Sequence, residues 1–258
     1  MIHRLAAHRL QKLRSSKIIW AFVIVSGFLA LVTLLPVIVM AAMSGVNLGS
    51  ETAAGFFQFL IGLGHIAALI LGVTTWRQDY RDGTMLTFAA RPLSRVEILM
   101  GKILGSFYAL LAFLAVALAI YALFHLIFLR FPIPAATLLF LLQTIFSWIS
   151  TFAIGLFFSN FSGPLLATVF GVIYFIVSAL GAQLAELPRG LWPVIGKGIK
   201  LISVERDLGF SFAQVMSADL PGVAPMLKAC AYYLLWALCL ICASILLFAR
   251  REFIGKRS

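Results

Sequence analysis

The sequence predicts an all-α polytopic membrane protein of six transmembrane helices. Three observations predict it. First, 62% of the 258 residues are hydrophobic and only 11% are charged, where soluble domains are about half apolar and a quarter charged. Second, the uncharged stretches reach the ~20 residues that a helix needs to cross hydrocarbon. Third, lysines and arginines gather at the edges of those stretches, which is how orientation is encoded in a bilayer. The net charge of +11 is therefore read as an orientation signal rather than as a nucleic-acid footprint. No polar stretch is long enough to build a second core, so residues 1–258 read as one transmembrane domain.

The first 17 residues predict an amphipathic helix. Ile2, Leu5, Ala6, Leu10 and Leu13 recur at helical spacing, with Arg4, His8, Gln11 and Lys12 between them. Such a basic helix is expected to lie in the headgroup plane. The first span follows at 18–42, too long for the apolar part of a cleavable leader. The second, 56–76, holds no formal charge and one neutral histidine, His65; the third is 103–129. Residues 131–185 carry no charge and are long enough for two spans, 135–158 and 164–185. The run Ser159-Asn160-Phe161-Ser162-Gly163-Pro164 supplies the break, because Gly-Pro punctuates helices. The last span is 228–249.

The segment 186–226 is the longest that does not span. Leu191, Ile195, Ile199 and Ile202 repeat about once per turn, with Lys197 and Lys200 interleaved. That spacing predicts an extracytoplasmic helix lying at, or dipping into, the outer interface. A further short element is expected at 211–217 and a turn at 219–222.

Six spans put both ends on one side, and the basic residues choose it. Arg4, Arg9, Lys12, Arg14 and Lys17 precede the first span; Arg77, Arg81, Arg91, Arg95 and Lys102 lie between the second and third; Arg250, Arg251, Lys256 and Arg257 follow the last. Only Arg130, Arg189, Lys197, Lys200, Arg206 and Lys228 fall on the other face. The imbalance places both termini in the cytoplasm of a multi-pass inner-membrane protein.

Several chemistries lack their residues. No Gly-x-x-x-x-Gly-Lys-Ser/Thr phosphate loop occurs: Gly101-Lys102 and Gly255-Lys256 lack the upstream glycine and the following hydroxyl. No His-Glu-x-x-His or Gly-x-Ser-x-Gly motif occurs either. The chain is thus not expected to be an enzyme by itself or to hold a cofactor. Ion-coupled carriers place ionisable residues near the midplane; the spans here carry almost none, so that alternative ranks lower. A non-transporting membrane scaffold is the other alternative. Polar residues within spans are His65, His125, Gln143 and Asn160. His65 and His125, and the Cys239/Cys242 pair on one helical face, are candidate metal ligands, but each reads more readily as packing. Cys230 shares the same apolar run, so no exported disulfide framework is expected.

The loop from Arg77 to Lys102 is the most informative stretch. Charged edges flank a short apolar helix expected at 84–90. Gly83 lets the chain turn, and Pro92 stops the helix. Ser94 can cap the next helix, with Glu97 three residues on completing a capping box. The run Asp79-x-x-x-Gly83-Thr84-Met85, then Arg91-Pro92-Leu93-Ser94-Arg95-x-Glu97-Ile98-Leu99-x-Gly101-Lys102, resembles the signature of type-2 ABC exporter permeases. Asp79 stands where that family usually has glutamate. The closing Phe248-Ala249-Arg250-Arg251-Glu252-Phe253 resembles the family's exit from the last span.

The resemblance implies a permease half. Two such subunits, identical or homologous, pair around a translocation path, and separate ATPase subunits bind ATP and Mg. The helix at 84–90 would be the coupling helix, with Asp79, Asp82, Gly83, Thr84, Arg91, Pro92 and Arg95 making partner contact and shaping the loop. With almost no charge in the spans, the cargo is expected to be apolar or amphiphilic, such as a lipid-like compound, a drug or a peptide.

Overall fold

The computed structural model describes residues 2–15, 50–81, 94–124, 126, 136–187, 190–202, 214 and 223–249, together with the isolated positions 24, 27, 28, 32, 35 and 39. Among the described residues all regular structure is helical. The elements are α1 (Ile2–Arg14), α2 (Ser50–Arg81), α3 (Arg95–Phe124), α4 (Ala136–Ser159), α5 (Pro164–Ala185), α6 (Trp192–Ile202) and α7 (Val223–Ala249). Five of these, α2, α3, α4, α5 and α7, are long and apolar enough to cross a membrane. They coincide with the second to sixth predicted spans. The first, 18–42, lies outside the described residues apart from isolated helical positions. The elements expected at 84–90, 211–217 and 219–222 lie outside them too, except that Gln214 is helical.

Several boundaries differ from the sequence expectation: α2 starts at Ser50 rather than 56 and α7 at Val223 rather than 228, and two further shifts have a clear cause. The second span was expected to end at its first charge, yet α2 runs on to Arg81. A helix leaving the bilayer keeps its backbone hydrogen bonds, so charges beyond the lipid need not end it. Likewise α3 begins at Arg95 rather than at 103, because its cap lies there. The Ser94 side chain accepts from the Glu97 backbone N–H at 3.2 Å. The Glu97 carboxylate in turn accepts from the Ser94 N–H and hydroxyl, each at 2.9 Å. This is the reciprocal capping box the sequence predicted. Ser94→Ala is expected to fray the first turn of α3 and raise amide exchange at 95–98, with little effect on total yield; unchanged exchange there would count against the cap.

The α4–α5 break also lies where expected. Gly163 is the N-cap of α5 and Pro164 opens it, where a missing N–H costs nothing. The carbonyls left over at the end of α4 need donors. Ser159 Oγ reaches the Leu156 carbonyl at 2.6 Å, and Asn160 Nδ2 the Leu156 and Phe157 carbonyls at 3.1 and 3.3 Å.

The core forms around α4, which packs on α2 along one side and on α7 along another. Trp148, Phe152 and Leu156 of α4 lie buried among Phe57, Leu60, Leu63 and Leu71 of α2. Ile154 meets Ala229 and Tyr233 of α7. At the α2–α4 crossing the backbones nearly touch. A Cβ on Gly72 would strike the Phe152 carbonyl and lie 2.9 Å from the Leu156 nitrogen, and one on Gly155 would lie 2.6 Å from the Leu69 carbonyl. Lipid gives apolar helices no hydrophobic reason to associate, so close packing at small residues carries the interaction. The outward sides of α5 and α7, such as Leu165, Ile173, Ile176, Leu235 and Leu246, are exposed and apolar, as surfaces meeting acyl chains must be.

At the far end, Gly190 turns the chain with φ of 104°, a conformation glycine adopts without steric cost. Then α6 folds back on α5. A Cβ on Gly181 would strike Ile199, and one on Gly196 would strike the Ala185 nitrogen. The periodic Ile199 thus faces α5, while Leu191 and Ile195 of the same predicted stripe are exposed.

Candidate coupling face

The helices flanking the charged segment 77–102 are α2, at its C-terminal end, and α3, at its N-terminal end. Asp79 lies in the last turn of α2 and Arg95 opens α3. Asp82, Gly83, Thr84, Arg91 and Pro92 lie outside the described residues. The structure therefore gives the two arms on which these residues hang.

Those arms are tied to each other and to α1. Two adjacent threonines of α2 form the node. The Thr75 hydroxyl donates to its own helix, at the Leu71 carbonyl 2.6 Å away. Its oxygen is then left to accept from the Ser106 hydroxyl of α3, 3.4 Å away. The Thr74 hydroxyl donates to the Ile70 carbonyl at 2.9 Å. Its lone pair accepts from Arg9 Nη2 of α1 at 3.2 Å. Back-bonding of this kind is the usual way a threonine satisfies its own proton inside an apolar helix.

Helix α1 is the helix the sequence predicted, and its apolar side meets protein. It packs along α3, with Leu5 against Ile98 and Leu13 in the main core. Ala6 is buried, and a Cβ on Gly105 would lie 2.8 Å from both the Ala6 carbonyl and Arg9 Cβ. The apolar face is real, but it is spent on protein.

Two residues of this face were read from sequence as orientation charges, Lys102 also as the close of the family signature. Arg9 is 2% exposed and Lys102 is 3% exposed. Arg9 had a legible signal: it falls four residues after Leu5 and four before Leu13, inside the apolar stripe rather than opposite it. Lys102 sits one turn from Ile98 and one from Gly105, on the side of α3 that meets α1. A charge beside an apolar run reads as an edge marker, and nothing in the run tells that the edge is covered by another helix.

Deeper in the bundle, His65 of α2 is held by α4. Its Nδ1 lies 2.9 Å from Thr151 Oγ1, and the Thr151 hydroxyl already donates to the Ser147 carbonyl at 3.0 Å. The imidazole is thereby tied to the Thr151 hydroxyl of α4. The ring stands edge-on to Trp148, with centroids 6.5 Å apart. Among the described residues no group of three or more His, Cys, Asp or Glu side chains could hold a metal ion. His125 lies outside them. Cys239 and Cys242 are exposed on α7, and Cys230 is buried. His65 also borders an open cavity of about 530 Å³ between α2 and α5, walled by Phe59, Ile66 and Leu69 on one side and Val172, Phe175 and Ile176 on the other.

These features define a class: an integral membrane protein of apolar helices, braced where its charged segment emerges. A family model described as ABC-2 family transporter protein matches residues 9–178. The match spans more than half of the chain, α1 to most of α5, and the chain belongs to that family. A search of curated proteins returns no match. Membership makes the chain a membrane component of an ABC transporter, a class whose members associate with ABC ATPase subunits.

Proposed function

We propose that this chain is the permease half of an ATP-driven exporter of the inner membrane, with both termini in the cytoplasm. It forms one transmembrane domain that pairs with a second permease subunit, identical or homologous, around the translocation path. ATP and Mg are held by separate ATPase subunits, and this chain holds no cofactor of its own. The segment 77–102 receives the motion of those subunits, through Asp79, Asp82, Gly83, Thr84, Arg91, Pro92 and Arg95. The observation that carries this reading is the pair of arms: α2 and α3 run without a break from the core to the edges of that segment, cross-tied at Thr75 and Ser106. A push on the segment is then delivered to two packed helices, as a rigid-body gate requires. The apolar cavity between α2 and α5 supports an apolar or amphiphilic cargo.

The reading is tested by purifying the chain with the ABC ATPase. Asp79→Ala is expected to weaken ATPase binding about tenfold, the ~1.4 kcal/mol that a charge-assisted contact contributes. Gly83→Val is expected to do the same by stiffening the turn. If both variants assemble and drive ATP-dependent transport like the wild type, the coupling assignment is wrong.

A further inference from the structure

We propose that Arg9 is a positioning residue that makes α1 a third arm of the coupling hairpin, so that α1, α2 and α3 move as one body. The inference rests on the reading of 77–102 as the segment that receives ATPase motion. It goes beyond that reading by assigning α1 a mechanical part in the same motion.

Four observations carry it. Arg9 is almost wholly buried on the side of α1 that carries Leu5, Ala6 and Leu13. An arginine near a membrane surface ordinarily stretches its charged end toward water, and this one is covered by protein instead. Its guanidinium donates to Thr74 Oγ1, whose own proton is committed to Ile70, so donor and acceptor roles match without rearrangement. A charged donor makes this a stronger bond than a neutral pair would give. Gly105 removes the Cβ that would hold α1 off α3, and the stem of Arg9 lies against that gap. Finally, the neighbouring Thr75 bonds Ser106 of α3. One dipeptide of α2 thus binds both other helices, about one turn before Asp79. If α2 and α3 shift together, α1 must follow or the Arg9 bond must break.

The test uses the full chain assembled with its ATPase subunits in phosphatidylcholine/phosphatidylglycerol vesicles. Three quantities are read: yield of the complex, stability of the permease, and the change in Mg-ATP turnover that the permease imposes. Thr74→Val keeps the shape and removes the acceptor. It is expected to leave yield and stability near wild type while the permease-dependent change in turnover falls about fivefold, the low end of ordinary coupling energies. Thr74→Ser, which keeps the oxygen, is expected to restore it, and Arg9→Gln to resemble Thr74→Val. In a background without Cys230, Cys239 and Cys242, the pair Arg9→Cys with Thr74→Cys is expected to be joined by a short bis-maleimide linker, which spans the gap an arginine side chain fills, whether or not any ATPase is present. Turnover responses equal to wild type in Thr74→Val and Arg9→Gln overturn the proposal. So does a loss of yield and stability in step with turnover, since that is a merely structural role. A wild-type chain that neither binds nor modulates any ABC ATPase, with the Arg9→Cys/Thr74→Cys variant still joined by the linker, overturns the coupling reading and leaves the α1–α2 contact standing.

Discussion

The Gly72→Leu variant is expected to lose most of its folded protein, with the thermal midpoint in detergent falling by about 10 °C or more. The reason lies in what surrounds the missing Cβ. The nearest atoms are the Phe152 carbonyl and the Leu156 nitrogen of α4, and these are backbone, which cannot rotate aside as a side chain can. Overpacking costs about 1–3 kcal/mol where neighbours can yield, and a chain of this size shifts by roughly 2–4 °C per kcal/mol. Here α4 itself must retreat, and with it the contacts of Phe152 and Leu156 with α2. Gly155→Leu is expected to match it, because its gap faces the Leu69 carbonyl from the other side. Gly62→Ala on the same helix is the control. Nothing lies within 4 Å of that Cβ, so it is expected to be neutral or to stabilise by up to ~1 kcal/mol through helix propensity. Equal midpoints for Gly72→Leu and Gly62→Ala would mean that the α2–α4 crossing is not the close contact described.

Those glycines show what the sequence could and could not reveal. Charge is so costly in hydrocarbon that its spacing located the apolar runs, and the Gly163-Pro164 break, legible as helix punctuation, divided the longest of them into two helices. The capping box at Ser94 and Glu97 was legible because it depends on residues three apart in one chain. Helix partners were not legible. In lipid, a face turned to acyl chains and a face turned to another helix are both apolar, so α2 shows no periodic signal for Gly72 and none for its partner Gly155. The same blindness hid α1. A stripe of Leu5, Ala6 and Leu13 suits a membrane surface and a protein groove alike, and only the intrusion of Arg9 into the stripe separates them. Of the site residues expected from sequence, Asp79 and Arg95 fall on helix ends, while the others lie outside the described residues. Thr74 and Thr75 were overlooked because a threonine pair near the end of a span has no distinguishing pattern until its hydrogen bonds are traced to α1 and α3.

Trp148→Ala is expected to cost about 3–5 kcal/mol, the usual range for truncating a fully buried aromatic. The indole is 1% exposed and fills the space that Gly64 leaves on α2. Its N–H donates to the Ile61 carbonyl at 3.3 Å, and its ring meets Phe113 of α3 with centroids 5.8 Å apart. One side chain of α4 therefore joins α2 and α3, on the wall of a small cavity of about 130 Å³ already present between α3 and α4. Removing it enlarges that cavity, and in an apolar solvent the loss is one of packing contacts rather than of burial from water. A reciprocal experiment separates this from general damage. Gly64→Ala in the intact protein pushes a methyl into the indole and is expected to destabilise. In the Trp148→Ala background the same methyl enters vacated space and is expected to be neutral or to stabilise. The two substitutions are therefore expected to be non-additive by about 1–3 kcal/mol. Additive effects, measured as thermal midpoints of the four purified proteins, would show that residues 64 and 148 do not share a contact.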